Sequence, residues 1–178
     1  WSGCPRGEDT PAPPPAGAPE QVAAIVSIEP QAWLVRRIGA ERVQVTTMVP
    51  PGQSPHSYEP LPGQLAQVAR ARIYLAVGTG VEFEDAHLDT LREQAPSMRI
   101  VELAAGIPLR AWGETGSHDH GGHDHEGHDH GHGSGAVKDP HVWLSPAHLA
   151  TMATAVRDGL VEVDPDHADG YRSRTEEV

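Results

Sequence analysis

Short apolar runs alternate with stretches of helical periodicity from residue 22 to residue 163. Val22–Ile28, Val43–Val49, Ile73–Val77 and Arg99–Leu103 are apolar or rich in β-branched residues. That pattern predicts strands buried on both faces. Between them, Pro30 opens a helix through Trp33, Leu34, Val35 and Ile38, and Gly39 ends it. A second helix is predicted from about Pro62 to Ala71, with Leu65, Val68 and Ala69 on its buried face. A third spans Glu84 to Gln94 and stops before Pro96; a fourth spans Pro146 to Val163; Asp164-Pro165 starts another. Pro50-Pro51-Gly52 and Gly78 close the second and third strands. Strand-helix alternation with short connections predicts an α/β fold, a four-stranded parallel sheet flanked by helices. Ligands of such sheets sit beyond the carboxyl ends of the strands. Segments 50–60 and 106–146 both follow strands, so they are expected to emerge at one rim.

Two segments carry no such pattern. Residues 1–20 are rich in Pro, Ala and Gly and read as a disordered tether, semi-extended where proline dominates. Ser2-Gly3-Cys4 fits the end of a bacterial lipoprotein signal, which makes Cys4 a candidate lipid anchor, although Trp1 departs from the usual Leu. Residues 113–138 read as a disordered, His-rich loop. Within it lie His118, His120, His123, His125, His128, His130 and His132, with His-Asp-His recurring every five residues. Imidazole and carboxylate are the donors that zinc-like divalent ions accept, and the intervening glycines leave the backbone free to wrap an ion. Weak, multiple metal sites are expected there.

The formal net charge of −12 argues against a nucleic-acid partner, which needs a basic footprint, and suits attraction of cations. One cysteine allows neither an internal disulfide nor a thiolate metal site. No apolar run approaches the length of a membrane span.

Two further histidines sit in loops stiffened by proline: His56 in Ser54-Pro55-His56-Ser57-Tyr58-Glu59-Pro60, and His141 in Asp139-Pro140-His141-Val142-Trp143-Leu144-Ser145-Pro146. Stiff loops suit metal ligands, because ordering a side chain costs free energy. Val142, Trp143 and Leu144 are expected to anchor the second loop in the core. Glu59 is a candidate acceptor that orients an imidazole, and a surface charge is its other reading. Asp139 either holds His141 or caps the turn. His87 is expected on an exposed helix face, His148 at the surface, and His167 in an acidic helix start, none of them as a ligand.

These two motifs and the His-rich loop, in this order, resemble the metal-binding lipoproteins of bacterial ABC importers, the cluster A-I solute-binding proteins, and most closely their zinc-specific branch. The resemblance covers Gln21 to Val178. It implies two lobes joined by one long helix, with the metal clamped between them. It implies that residues 21–163 form the N-terminal metal-binding lobe and that residues 164–178 begin the interlobe helix. The second lobe would then lie outside this sequence; Tyr171 to Val178 indeed reads as a helix with no Gly stop. The family's two N-lobe histidines fall on His56 and His141, and the remaining ligands would come from the second lobe. The implied cargo is Zn²⁺, with Mn²⁺ or iron as the alternative; the implied partner is a membrane permease, and the chain is expected to act as an extracytoplasmic, periplasmic or cell-surface monomer. A lipoprotein that buffers metal or adheres to host components is a rival reading. A hydrolytic zinc enzyme is disfavoured, since no His-Glu-x-x-His motif occurs.

Overall fold

The computed structural model describes residues 21–110 and 139–178. The tether 1–20 and the whole of the 113–138 loop expectation, including its seven histidines, lie outside the described residues. Among the described residues four strands form, β1 (Val22–Val26), β2 (Val43–Thr47), β3 (Ile73–Ala76) and β4 (Arg99–Glu102). They make one sheet of order β2-β1-β3-β4, parallel throughout. The same residues form the α-helices α1 (Glu29–Gly39), α2 (Pro62–Val68), α3 (Glu82–Gln94), α4 (Pro146–Val163) and α5 (Ala168–Thr175). Among the described residues no helix is long and apolar enough to cross a membrane.

Sequence order and sheet order together explain the layers. From β1 the chain steps outward to β2, then crosses back over β1 to β3 and on to β4. Parallel crossovers are right-handed, so the reversal sends α2 and α3 to the face opposite α1. Contacts agree: α1, α4 and α5 pack on one another, whereas α2 packs on α3. The core between these layers is aliphatic, with Val26, Ile25, Leu34, Val35, Ile38, Ile73, Leu75, Leu91, Met152 and Leu160 almost wholly excluded from water. Two glycines mark where layers meet most closely. A Cβ on Gly159 would sit 3.0 Å from Ile73 Cδ1 and Val101 Cγ2, so α4 lies nearly against the sheet. A Cβ on Gly39 would meet Val43 Cγ2 at 2.5 Å. Gly39→Ala should therefore cost about 1–3 kcal/mol through overpacking, read as a lower urea midpoint.

The predicted elements shift at their ends. Helix α2 stops at Val68 rather than Ala71, because Arg70 N–H and Ala71 N–H turn to the carbonyls of Gln67 and Val68. Ala69 is exposed, not buried as its spacing suggested, and Leu65 is half-buried. Helix α3 begins two residues early, since Glu84 and Asp85 N–H both reach Val81 O. The final helix begins at Ala168, after a 3-10 turn at Pro165–His167. Its anchor is Asp164, which accepts from Tyr171 Oη at 2.5 Å and lies 3.0 Å from His167 Nδ1 and 3.4 Å from Arg42 Nη2.

Burial pushes the Asp164 carboxyl up, but the Tyr171 hydroxyl, His167 and Arg42 outweigh it and hold it below the usual range. A depressed folded value gives stability that is present above the unfolded value of about 3.9 and lost as pH falls through the folded one. Asp164→Asn should lower the urea midpoint at neutral pH, and its deficit should close as the solution is acidified below about pH 4.

Candidate metal half-site

The segment from Met48 to Leu61 leaves the carboxyl end of β2 and carries His56. Gln64, in the first turn of α2, ties both ends of it down. Its Oε1 accepts from Leu61 N–H and Tyr58 Oη, each at 2.9 Å, and its Nε2 donates to Met48 O at 2.7 Å. Short turns, Gln53 N–H to Pro50 O and Ser57 N–H to Ser54 O, fill the interval. Tyr58 packs toward Phe83, which packs on the His87 ring. His56 itself stays open, its side chain 70% exposed, with Nδ1 2.8 Å from Glu82 Oε1.

The second histidine is held by its own motif. Asp139 Oδ1 accepts from His141 N–H at 3.0 Å and faces His141 Nδ1 at 2.7 Å. Asp139 thus caps the turn and holds the ring at once. Those bonds, the backbone one foremost, keep the Asp139 carboxyl below the usual carboxylate range. Asp139 N–H donates to Arg110 O at 2.8 Å, which closes the 110–139 excursion at its base. Val142 is buried and Trp143 half-buried, with the indole 5.1 Å from the His141 ring. Leu144 does not anchor the loop as expected: it is 74% exposed, because the 3-10 turn Val142–Leu144 sends every third side chain inward and Leu144 outward.

Both histidines therefore have a carboxylate at Nδ1. A carboxylate there favours the tautomer with the proton on Nδ1 and the lone pair on Nε2. The acceptor at His56 is Glu82, which the sequence reading passed over. Glu59 instead lies 3.9 Å from His87 Nε2 and is largely exposed. Only the helix-terminal position of Glu82, at the start of α3 and hence at the rim, could have pointed to it.

The two loops meet through the turn between β3 and α3. Glu82, at its far end, reaches His56, and Thr79 Oγ1 donates to Pro140 O at 3.0 Å. The rim expected from the sheet topology is where both loops lie. Beneath it is a buried polar network that periodicity did not reveal. Glu84 accepts from Val77 N–H at 2.7 Å and Gly78 N–H at 2.9 Å, and contacts Ser27 Oγ, which also bonds Tyr74 Oη. Gln31 Oε1 accepts from Ser27 N–H and Ile28 N–H, while its Nε2 donates to Leu75 O. This network sits where β1 and β3 diverge toward opposite edges, the usual ligand position of an open parallel sheet. Burial raises the Glu84 carboxyl above its ordinary value, though its hydrogen bonds oppose the rise.

The other histidines divide differently from expectation. His87 is not on an open face: its side chain is 19% exposed and its Nε2 lies 3.2 Å from Tyr58 O. His148 is partly buried; its Nδ1 is shielded without a hydrogen-bond partner among the described residues. It lines, with Arg110, Asp139 and His141, an open hollow of about 690 Å³. His167 pairs with Asp164. Among the described residues no three His, Cys, Asp or Glu side chains form a metal cage. Among the described residues, His56 and His141 thus stand in loops that both reach the β3–α3 turn.

Known proteins resemble this chain along most of its length. Residues 25–178 match the family model of the zinc-uptake complex component A, periplasmic, ZnuA. The high-affinity zinc uptake system protein ZnuA of Yersinia pestis is 28% identical over 157 residues, 83% of this chain and 48% of that protein. The manganese-binding lipoprotein MntA of Halalkalibacterium halodurans is 29% identical over 143 residues, 80% of this chain and 40% of that one. A crystal structure of ZnuA superposes with a TM-score of 0.72 at 31% identity, covering 89% of this chain and 53% of that one. The chain spans about half the length of the relatives it matches. The matched region takes in the end of β1, the other three strands, both proline-stiffened histidine loops and the final helix, and the chain belongs to the periplasmic zinc-uptake component A family.

Proposed function

We propose that this chain is the N-terminal, metal-gripping lobe of an extracytoplasmic binding protein that captures Zn²⁺ and hands it to the membrane permease of an ABC importer. The observation that carries the reading is the matched pair of imidazoles. Each stands on a proline-stiffened loop beyond the carboxyl ends of the strands, with a carboxylate at Nδ1. Zinc is bound through neutral imidazole nitrogen at about 2.0–2.1 Å and prefers four ligands. His56 and His141 would give two through Nε2, and groups from a second lobe would give the rest as it closes. Residues 164–178 would begin the connection to that lobe. Cys4 would carry a lipid, with residues 1–20 as its stalk. His118 to His132 would hold extra ions weakly and raise their concentration near the rim; Glu59 would tune the rim's charge.

Overall similarity does not choose the ion, since relatives named for manganese and for zinc are about equally identical to the chain. Donor chemistry favours zinc: imidazole suits it, whereas manganese favours carboxylate and water. In the intact protein lacking residues 118–132, competition with a chromogenic chelator should show Zn²⁺ preferred over Mn²⁺ by about a hundredfold or more, in the sense of the Irving–Williams order. Preference for Mn²⁺ would replace zinc as the cargo. Removing 118–132 should lower the total number of ions bound while one tight site persists; loss of that site would make the segment a primary ligand source.

A further inference from the structure

The turn between β3 and α3, residues 77–81, is built to be stiff. Gly78 has φ +76°, and a Cβ there would sit 2.8 Å from Glu102 Cβ, so the turn is pressed against β4 at a position suited to glycine. Its backbone N–H groups at Val77 and Gly78 are both taken by the buried Glu84 carboxylate. The same carboxylate touches Ser27 at the end of β1, so the turn is fixed to the sheet on two sides. From this frame two side chains reach out. Thr79 Oγ1 donates to Pro140 O, the carbonyl of the peptide that leads into His141, which also accepts from Val142 N–H at 2.8 Å. Glu82, in the first turn of α3, stands 2.8 Å from His56 Nδ1. Its charge is favoured at a helix start.

We propose that the β3–α3 turn acts as a bracket, with Thr79 and Glu82 as positioning residues that set the separation and orientation of His56 and His141 before metal arrives. The inference rests on the half-site reading above. The His141 loop is tied to this turn through Thr79 and Pro140 O, and the His56 loop through Glu82. Each is referred to the same short turn. Ligands fixed in advance lose less freedom on binding, so the bracket contributes affinity without touching the ion. It also predicts that the two links act on one quantity, the distance between the imidazoles, and so do not act independently.

The test uses the intact protein lacking residues 118–132, with Zn²⁺ affinity from chelator competition, Co²⁺ visible spectra as a report of ligand geometry, and thermal unfolding of the metal-free form. Thr79→Val keeps the shape and removes the donor; Glu82→Gln keeps the length and removes the charge. Each should weaken Zn²⁺ binding about tenfold or more, within the range typical of groups that orient metal ligands. Each should alter the Co²⁺ bands, while the metal-free unfolding midpoint stays close to that of the parent. Thr79→Ser should restore binding, and the double variant should lose less than the product of the single losses. Parent-like affinity and Co²⁺ spectra in Thr79→Val and Glu82→Gln, alongside lost binding in His56→Ala and His141→Ala, would overturn the bracket and leave the half-site standing. Tight binding that survives His56→Ala and His141→Ala would overturn both.

Discussion

Replacing either His56 or His141 with alanine should abolish tight Zn²⁺ binding by the intact protein while leaving its fold in place. The size of the loss follows from the site. Removing a group that merely orients a metal-bound histidine commonly weakens binding about ten- to hundredfold. Removing the histidine itself takes away a zinc bond, so the loss should exceed about a hundredfold. The fold should tolerate both changes. His56 is 70% exposed at its side chain and His141 45%, and neither packs in the core. Changes at exposed positions without special roles usually stay within about 0.5 kcal/mol. The histidines of segment 118–132 could mask the effect in a simple count of bound metal. Affinity must therefore be read by competition with a chelator strong enough to strip weak sites. His87→Ala supplies the contrast. It should destabilise the Tyr58–Phe83 contact region, where its ring packs 4.9 Å from Phe83, yet leave zinc affinity largely unchanged.

The second large effect is expected at Glu84. The residue is 5% exposed, and its carboxylate serves Ser27, Val77 and Gly78 together. Glu84→Ala would strand these donors in the interior, where each unsatisfied group costs about 1–3 kcal/mol. The desolvation that raises the carboxyl's pKa offsets part of this, because a buried charge is itself costly. A net loss of about 3–5 kcal/mol in urea unfolding is expected, large against a domain stability of about 5–15 kcal/mol. Glu84→Gln should lose less, since it retains one acceptor, but it sets an NH₂ against a backbone N–H. The pH dependence has a definite sign. A folded value raised above the unfolded one gives stability that is complete below the unfolded value, about 4.3, and lost as pH rises through the folded value. The gap between the parent and Glu84→Gln should thus widen on acidification from neutral pH toward about pH 4. A gap that narrowed instead would mean that the carboxylate is better stabilised in the fold than in the unfolded chain.

Much of the architecture is legible in the sequence because parallel strands and their covering helices write themselves as pattern. Val22–Val26 and Ile73–Ala76 are nearly continuous apolar runs because helices cover both of their faces. Helix α4 falls on Pro146–Val163 as its proline start and apolar stripe indicate. The rim position of the two histidine loops follows from strand direction alone. What periodicity does not carry is the polar wiring. Glu84 reads as one more acid in an acidic helix start, and nothing local tells it from Asp85, which is exposed. The difference arises in three dimensions, where the early start of α3 turns residue 84 under the β3 terminus. Gln64 and Gln31 are similar: each caps the backbone just before its own helix and also donates to a carbonyl on a distant segment, and it is the distant bond that the sequence does not show. Glu82, the neighbour of His56, is 26 positions away along the chain, whereas Glu59, three positions away, faces His87. Sequence proximity favoured the wrong acid because the His56 loop folds back over the start of α3. Leu144 and Ala69 show the same limit from the apolar side. Each fits a buried stripe by composition, yet Leu144, in a 3-10 turn, and Ala69, just past the last residue of α2, both end exposed.

The metal-binding proposals depend on the imidazoles of His56 and His141 sharing a divalent ion through their Nε2 atoms. Anomalous diffraction at the zinc absorption edge, from crystals of the intact protein grown with one equivalent of Zn²⁺, tests it most directly. The expected result is a single strong peak bonded to both Nε2 atoms at about 2.0–2.1 Å, with Glu82 and Asp139 still at the two Nδ1 positions. A peak bound through Nδ1, or one that engages only one of the two rings, would contradict it.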